Sequence, residues 1–343
     1  MKITEFADNG TWRNTMVSIK DVAKHAGVAI STVSKVLNNY PNISEETKKK
    51  VNEAIAELNF VPNSIAAALS SKQSGRVALL INMVETKVID EIDMQYLSGA
   101  IYQAKELNID VITVFFSMIK DKSVEEITRY FQSQNISGIV IYGMSKEDKV
   151  LHELIASKTF KIVLVDVPVV NENTSCVWID HRQAQYDVAK RTIEENTCKR
   201  VLYIAGKKNG YVTDRRLEGI KQLVEDKKLQ ILIKNGEFSE LQARKITFKY
   251  AKNKDVVVCA SDFMAIGAMK ALTEMDIFRP VCGFDGMMLM GYVGKQMNTI
   301  KQNFSNISAE AIKEIYRLMN GGEGQEIILP YSIERLQYLD IIC

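Results

Sequence analysis

From residue 76 onward the chain is punctuated by short, nearly continuous apolar runs: Val77 to Met83, Ile109 to Phe116, Gly138 to Tyr142, Lys161 to Val165, Arg200 to Ala205, Leu229 to Ile233 and Val256 to Ala260. Between most of them lie segments with apolar residues at helical spacing, such as Leu97 to Leu107, Val124 to Phe131, Gln183 to Ile193 and Met264 to Leu272. A strand that is apolar on both faces must be covered on both faces, and the intervening helices supply the cover. The pattern therefore requires an α/β architecture with parallel sheets, and the number of runs fits two doubly wound lobes better than one. In such sheets ligands sit outside the carboxyl ends of the strands. Asp285 directly follows an apolar strand, and Arg216 lies early in the helix after the Ala205-Gly206 strand end. An acid and a guanidinium facing one cleft can hydrogen-bond sugar hydroxyls or clamp an anionic group.

A different pattern precedes this region. Val17 to Asn38 reads as two short amphipathic segments pivoting on Gly27. Ser18 and Asp21 make a Ser-x-x-acid helix start, which predicts a helix from about Ile19. Val22, Ala23 and Ala26 form its apolar face, and Gly27 allows a left-handed turn. Val33, Val36 and Leu37 supply the facing stripe of the second helix. Ser44-Glu45-Glu46-Thr47 opens a third, whose Val51, Ala54, Ile55 and Leu58 close a three-helix core. This is the pattern of a helix-turn-helix that reads a DNA major groove. The DNA-contacting set is Ser18 at the first helix start, together with Ile30, Ser31, Thr32, Ser34, Lys35 and Asn38 on the outward face of the second. Residues 16–73 hold seven lysines against five acidic residues and no arginine, a weak basic bias.

After Pro62 the chain reads Asn63-Ser64-Ile65-Ala66-Ala67-Ala68-Leu69. With this hinge, and with the Asp-Val-Ala, Gly-Val, Thr-Val-Ser and Val-Leu-Asn run before it, the chain closely resembles the LacI/GalR family of bacterial transcription regulators, from about Val17 to about Arg335. The resemblance implies a type I periplasmic-binding-protein fold of two lobes for the larger region. Its landmarks are Asp166, Asp180, Arg215-Arg216-Leu217-Glu218-Gly219, Ala260-Ser261-Asp262 and Gly283-Phe284-Asp285. It places Arg216, Ser261 and Asp285 as effector contacts and Phe238 as an apolar or stacking wall. Asp166 and Asp180 join them as candidates, open between cleft ligand and loop hydrogen-bonding group. Asp262 is read as the cap of a helix starting at Phe263.

The resemblance further implies a homodimeric repressor on a palindromic double-stranded DNA operator, controlled by a small-molecule effector, a sugar or related metabolite. In the hinge, Asn63, Ala66 and Leu69 become DNA contacts, with Leu69 wedging into the central base step from the minor groove. The expected organisation is a disordered extension over 1–15, a helix-turn-helix domain over 16–62, a hinge helix and linker over 63–75, and a two-lobed effector-binding and dimerisation domain over 76–343. Ile92-Asp93, Asn209-Gly210-Tyr211-Val212 and Ser261 depart from the family pattern and leave the effector unnamed.

Other function classes fit poorly. No apolar run approaches the roughly 18 residues of a membrane span, and Met1 to Thr15 lacks the apolar region of a signal peptide, so a cytoplasmic protein is expected. Five cysteines without a Cys-x-x-Cys pair read as buried free thiols, and three histidines without ligand spacing predict no metal site and no cofactor. No Gly-x-Ser-x-Gly elbow, His-Glu-x-x-His or phosphate loop is present, so an enzyme is not expected. A transport binding protein would have no use for residues 16–69.

Overall fold

The computed structural model describes residues 4–6, 12–14, 17–37, 40, 42–58, 60, 75–82, 91–292 and 297–335. The chain divides into two compact units, residues 1–73 and 74–343, taken here one at a time.

In the first unit, α1 (Ile19–Ala26), α2 (Ile30–Leu37) and α3 (Glu45–Glu57) enclose a core of Val22, Ala23, Val33, Val36, Val51, Ala54 and Phe60. The start of α1 is fixed as its sequence predicts: the Ser18 amide donates to the Asp21 carboxylate at 2.8 Å. It stops at Gly27, whose φ of 66° lies in the left-handed region and whose N–H returns to the Ala23 carbonyl. The Ser44 hydroxyl caps α3 by accepting from the Thr47 amide at 3.3 Å. His25 Nε2, 2.6 Å from a Glu57 carboxylate oxygen, ties the end of α1 to the end of α3. Within residues 1–15, β1 (Thr4–Phe6) and β2 (Trp12–Asn14) form an antiparallel ladder, and Thr, Phe and Trp are strand-favouring residue types.

The second unit contains the two lobes. Lobe 1 is a six-stranded, all-parallel sheet of β3 (Arg76–Ile81), β4 (Val111–Phe115), β5 (Ile136–Tyr142), β6 (Lys161–Val165), β7 (Thr174–Ile179) and β13 (Glu326–Leu329). Their order is β13-β7-β6-β5-β3-β4. Lobe 2 is a four-stranded parallel sheet of β8 (Arg200–Ala205), β9 (Gln230–Asn235), β10 (Val256–Cys259) and β11 (Val281–Cys282), ordered β11-β10-β8-β9. Among the described residues the two lobes carry eight helices: α4 (Glu91–Glu106), α5 (Val124–Ser133), α6 (Lys149–Ala156), α7 (His181–Asn196), α8 (Tyr211–Lys227), α9 (Glu240–Tyr250), α10 (Asp262–Glu274) and α11 (Phe304–Met319).

Both faces of the lobe 1 sheet are buried, as its apolar runs require. Leu79, Val140, Val163 and Val177 point into one core, while their neighbours Leu80, Ile139, Ile162 and Leu164 point into another. Each such fully buried aliphatic side chain contributes roughly 1.5–3 kcal/mol relative to exposure. α4 and α11 approach until their backbones touch, since a Cβ on Gly99 would stand 2.0 Å from the Ser305 carbonyl oxygen.

Over the described residues the chain passes between lobes three times: from β7 into α7, from β12 (Thr299–Lys301) into α11, and from β13 into β14 (Ser332–Glu334). β12 and β14 pair antiparallel beside the two lobes. Among the described residues, Cys176, Cys198, Cys259 and Cys282 are free and buried, as the sequence implies.

Candidate functional site

On the first unit, α2 turns Val33 and Val36 inward and leaves the opposite face open. Ile30 is 46% exposed, Ser31 and Lys35 are exposed, and Thr32 and Ser34 are half-buried. Ser18, at the start of α1, donates to the Asp21 carboxylate from its hydroxyl at 2.7 Å and from its amide. Asn38, Asn63, Ala66 and Leu69 lie outside the described residues.

In the second unit, the carboxyl ends of the strands bring together residues distant in sequence. Asp166 follows β6 with φ of 62°, His181 opens α7 after β7, Arg216 projects from the second turn of α8, and Asp285 follows β11 with φ of 125°. His181 Nε2 is 2.8 Å from Asp166 Oδ1, and its Nδ1 is 3.4 Å from both Nε and Nη2 of Arg216. Arg216 Nη1 donates to the Ala260 carbonyl at 2.5 Å and lies 3.5 Å from Asp285 Oδ1. The Phe284 ring lies 3.7 Å beneath the guanidinium carbon. Asp285 accepts from Gln302 Nε2 at 3.1 Å, and the Tyr96 hydroxyl donates to Asp166 at 3.4 Å.

The cluster is dry. His181 is fully buried and Arg216 is 4% exposed. Burial pushes the Asp285 carboxyl up to about 8, with Arg216 opposing and the Asp262 charge reinforcing the rise. Burial likewise holds His181 below the usual imidazole range, the Asp166 carboxylate opposing. A hollow of about 250 Å³ opens beside it at the ends of β8 and β9, lined by Gly206, Lys208, Asn209, Thr213, Ile233 and Asn235. Neither Arg216 nor Asp285 reaches it.

Of the sequence-derived effector set, Arg216, Asp285 and Asp166 converge. The others serve differently. Asp180 is exposed and caps α7, its carboxylate accepting from the Gln183 amide at 3.0 Å. Ser261, not Asp262, caps α10, accepting from the Met264 amide at 3.3 Å. Asp262 is still structural, but it accepts from the Thr299 hydroxyl at 2.7 Å and the Met287 amide at 2.8 Å, tying α10 to the segment that leads to α11. Phe238 packs its ring over Gly206, where any Cβ would collide with it at 2.1 Å. Sequence reasoning missed His181, Tyr96, Phe284 and Gln302. Only His181 carried a signal, its place immediately after Asp180 at a strand end.

The lobes also meet through exposed loops. The Lys146 amide donates to the Asn209 carbonyl at 3.0 Å, Lys146 Nζ to Asp214 at 2.5 Å, and Asn209 Nδ2 to Glu147 at 2.7 Å. On another edge, the Met288 amide reaches the Glu91 carboxylate at 3.2 Å.

Residues 18–63 match the family model of bacterial regulatory proteins of the lacI family, and residues 94–281 match that of periplasmic binding proteins and the sugar binding domain of the LacI family. The chain belongs to the LacI family. This LacI-family chain is 28% identical to the ribose operon repressor of Halalkalibacterium halodurans, over 86% of its own length and 88% of the repressor's. It is also 28% identical to catabolite control protein A of Staphylococcus epidermidis, over 93% and 98%. In fold it is similar to a lac repressor dimer bound to operator and the anti-inducer ONPF, with a TM-score of 0.80 at 23% identity, covering 94% of this chain and 98% of that one. A complex of the regulator CelR with cellobiose gives 0.68 at 21%, covering 93% and 99%. As a LacI-family member the chain is a DNA-binding transcription regulator, and its relatives are regulators rather than enzymes. No helix among the described residues is long and apolar enough to cross a membrane.

Proposed function

We propose that the protein is a cytoplasmic, homodimeric repressor that binds a palindromic operator and answers to a sugar or related metabolite held between the lobes. The observation that carries this reading is the union, on one chain, of an outward α2 face and a cluster at the strand ends in which half-buried Asp166 meets buried His181, Arg216 and Asp285. One α2 spans only a few base pairs, so two-fold pairing and a palindrome follow. Exposed Ile30 suits a thymine methyl, and Lys35 suits guanine O6 or N7. The hinge residues Asn63, Ala66 and Leu69 are assigned to the minor groove, with Leu69 as the wedge.

Ligand binding works by differential affinity. An effector that prefers one angle between the lobes shifts the population toward it, and the shift moves the segment leading to the hinge. The relatives named for ribose and cellobiose support a sugar. The test is a mobility-shift assay with the palindromes upstream of the gene, repeated with neutral sugars and phosphorylated metabolites. Specific binding that one ligand class releases or strengthens is expected. Binding that does not distinguish operator from random DNA would reject the reading.

A further inference from the structure

We infer that His181 decides which ligands the cleft accepts: by joining Asp166 of lobe 1 to Arg216 of lobe 2 it occupies the guanidinium and leaves the cleft to uncharged, hydroxyl-rich ligands rather than to anions. This rests on the cleft being the ligand site, as proposed above. His181 acts through Arg216 and is a positioning residue.

The direction of the hydrogen bonds follows from the partners. Asp166 Oδ1, at 2.8 Å, is an acceptor, so Nε2 carries the imidazole proton. Nδ1 then presents a lone pair to Nε and Nη2 of Arg216, at 3.4 Å each. Nη1 is taken by the Ala260 carbonyl, with Asp285 at 3.5 Å and the Phe284 ring beneath the plane. Every guanidinium nitrogen thus has an internal acceptor.

An incoming anion would have to displace one of these acceptors while facing two carboxyl groups, half-buried Asp166 and buried Asp285, and it would offer no donor to Asp166. A hydroxyl-rich ligand meets the opposite situation. Gln302 Oε1 is a buried acceptor without a partner, and the second oxygen of Asp166 accepts only the long 3.4 Å bond from Tyr96. Hydroxyls donate to such oxygens and accept from Tyr96 in return.

Protonation reverses the logic, because a proton on Nδ1 turns the acceptor facing Arg216 into a donor. The charged and titratable groups around the imidazole are Asp166 after β6, Asp180 beside it on α7, Arg216 on α8, Asp285 after β11 and Tyr96 on α4.

The test uses sulfate, whose charge is constant between about pH 5 and 8, titrated calorimetrically into the full chain at fixed ionic strength. Wild type is expected to show no saturable binding at pH 8. His181→Ala and His181→Leu, which offer Arg216 no acceptor, are expected to bind at least about tenfold tighter, the scale of one charge-assisted hydrogen bond, and to lose that binding when Arg216→Lys is added. Wild type should acquire sulfate binding as pH falls. His181→Leu, which retains Asp285, should show a flatter profile. Saturable sulfate binding by wild type at pH 8 that Arg216→Lys abolishes overturns the inference, and so does a pair of His181 variants that bind no better than wild type. If neither variant folds, the wild-type arm at pH 8 and its pH profile still decide. Operator DNA is absent from this assay, so a protein that binds no operator yet shows this pattern rejects the regulator reading and keeps the assignment of His181.

Discussion

Lys35 is the single charged side chain of α2, and it stands exposed on the face opposite Val33 and Val36. Replacing it with alanine should weaken specific operator binding by about 1–3 kcal/mol and relax one operator position. A selection from randomised operators reads this directly, and an unchanged base preference would refute the role. Asp285 gives a prediction of another kind. Its carboxyl rises from 3.8 to about 8 on folding, so the folded protein holds a proton that the unfolded chain has released. That contribution to stability is complete below about pH 4 and is lost as pH rises toward 8. The melting temperature of Asp285→Asn relative to wild type should therefore climb between pH 5 and 8, whereas a constant offset would show that Asp285 is ionised in the fold. Asp285 was legible in the sequence because a polar residue just past an apolar strand has few places to point, and Arg216 because it lies early in the helix that follows such a strand. His181 and Gln302 were not, since their partners stand up to 35 residues away and only the folded lobes bring them together. The cap falling on Ser261 rather than Asp262 is a one-residue shift of a helix start, the least readable quantity in any sequence.

At the scale of elements, the turn between α1 and α2 depends on one backbone conformation. A Cβ on Gly27 would meet nothing within 4 Å, yet φ is 66°, so Gly27→Ala carries only the left-handed penalty of about 1–2 kcal/mol. Chemical denaturation should show that loss, with Gly27→Asn recovering part of it. Equal stability of all three proteins would mean that the turn is not formed in solution. The strands whose side chains are apolar throughout were legible as runs. β7 was only half legible because it begins with Thr174 and Ser175, and Ser175 is buried by donating to Glu314 at 2.5 Å. β13, an edge strand with exposed Glu326 and Ile328, carries no such run at all.

At the scale of the whole effector unit, the loops around Lys146 and Asn209 hold the lobes together from outside the cluster. Their ion pair is half-exposed, and such pairs contribute about 0–1 kcal/mol. Lys146→Ala should leave the melting temperature nearly unchanged while the Lys146 position and its neighbours in 145–148 exchange amide hydrogens faster, because the bond to the Asn209 carbonyl opens more often. Unaltered exchange there would mean that the side-chain pair does not control the contact.

The three passages between the lobes constrain what any such opening can look like. A single tether would permit swivelling and sliding in every direction. Three tethers, two of them stitched to each other over Thr299–Lys301 and Ser332–Glu334, suppress all but one rotation, as a door hung on several pins can only swing. Whatever enters the cleft, its chemistry is reduced to a single number, the angle of that swing, and ligands of different shape become equivalent signals whenever they stop the door at the same place.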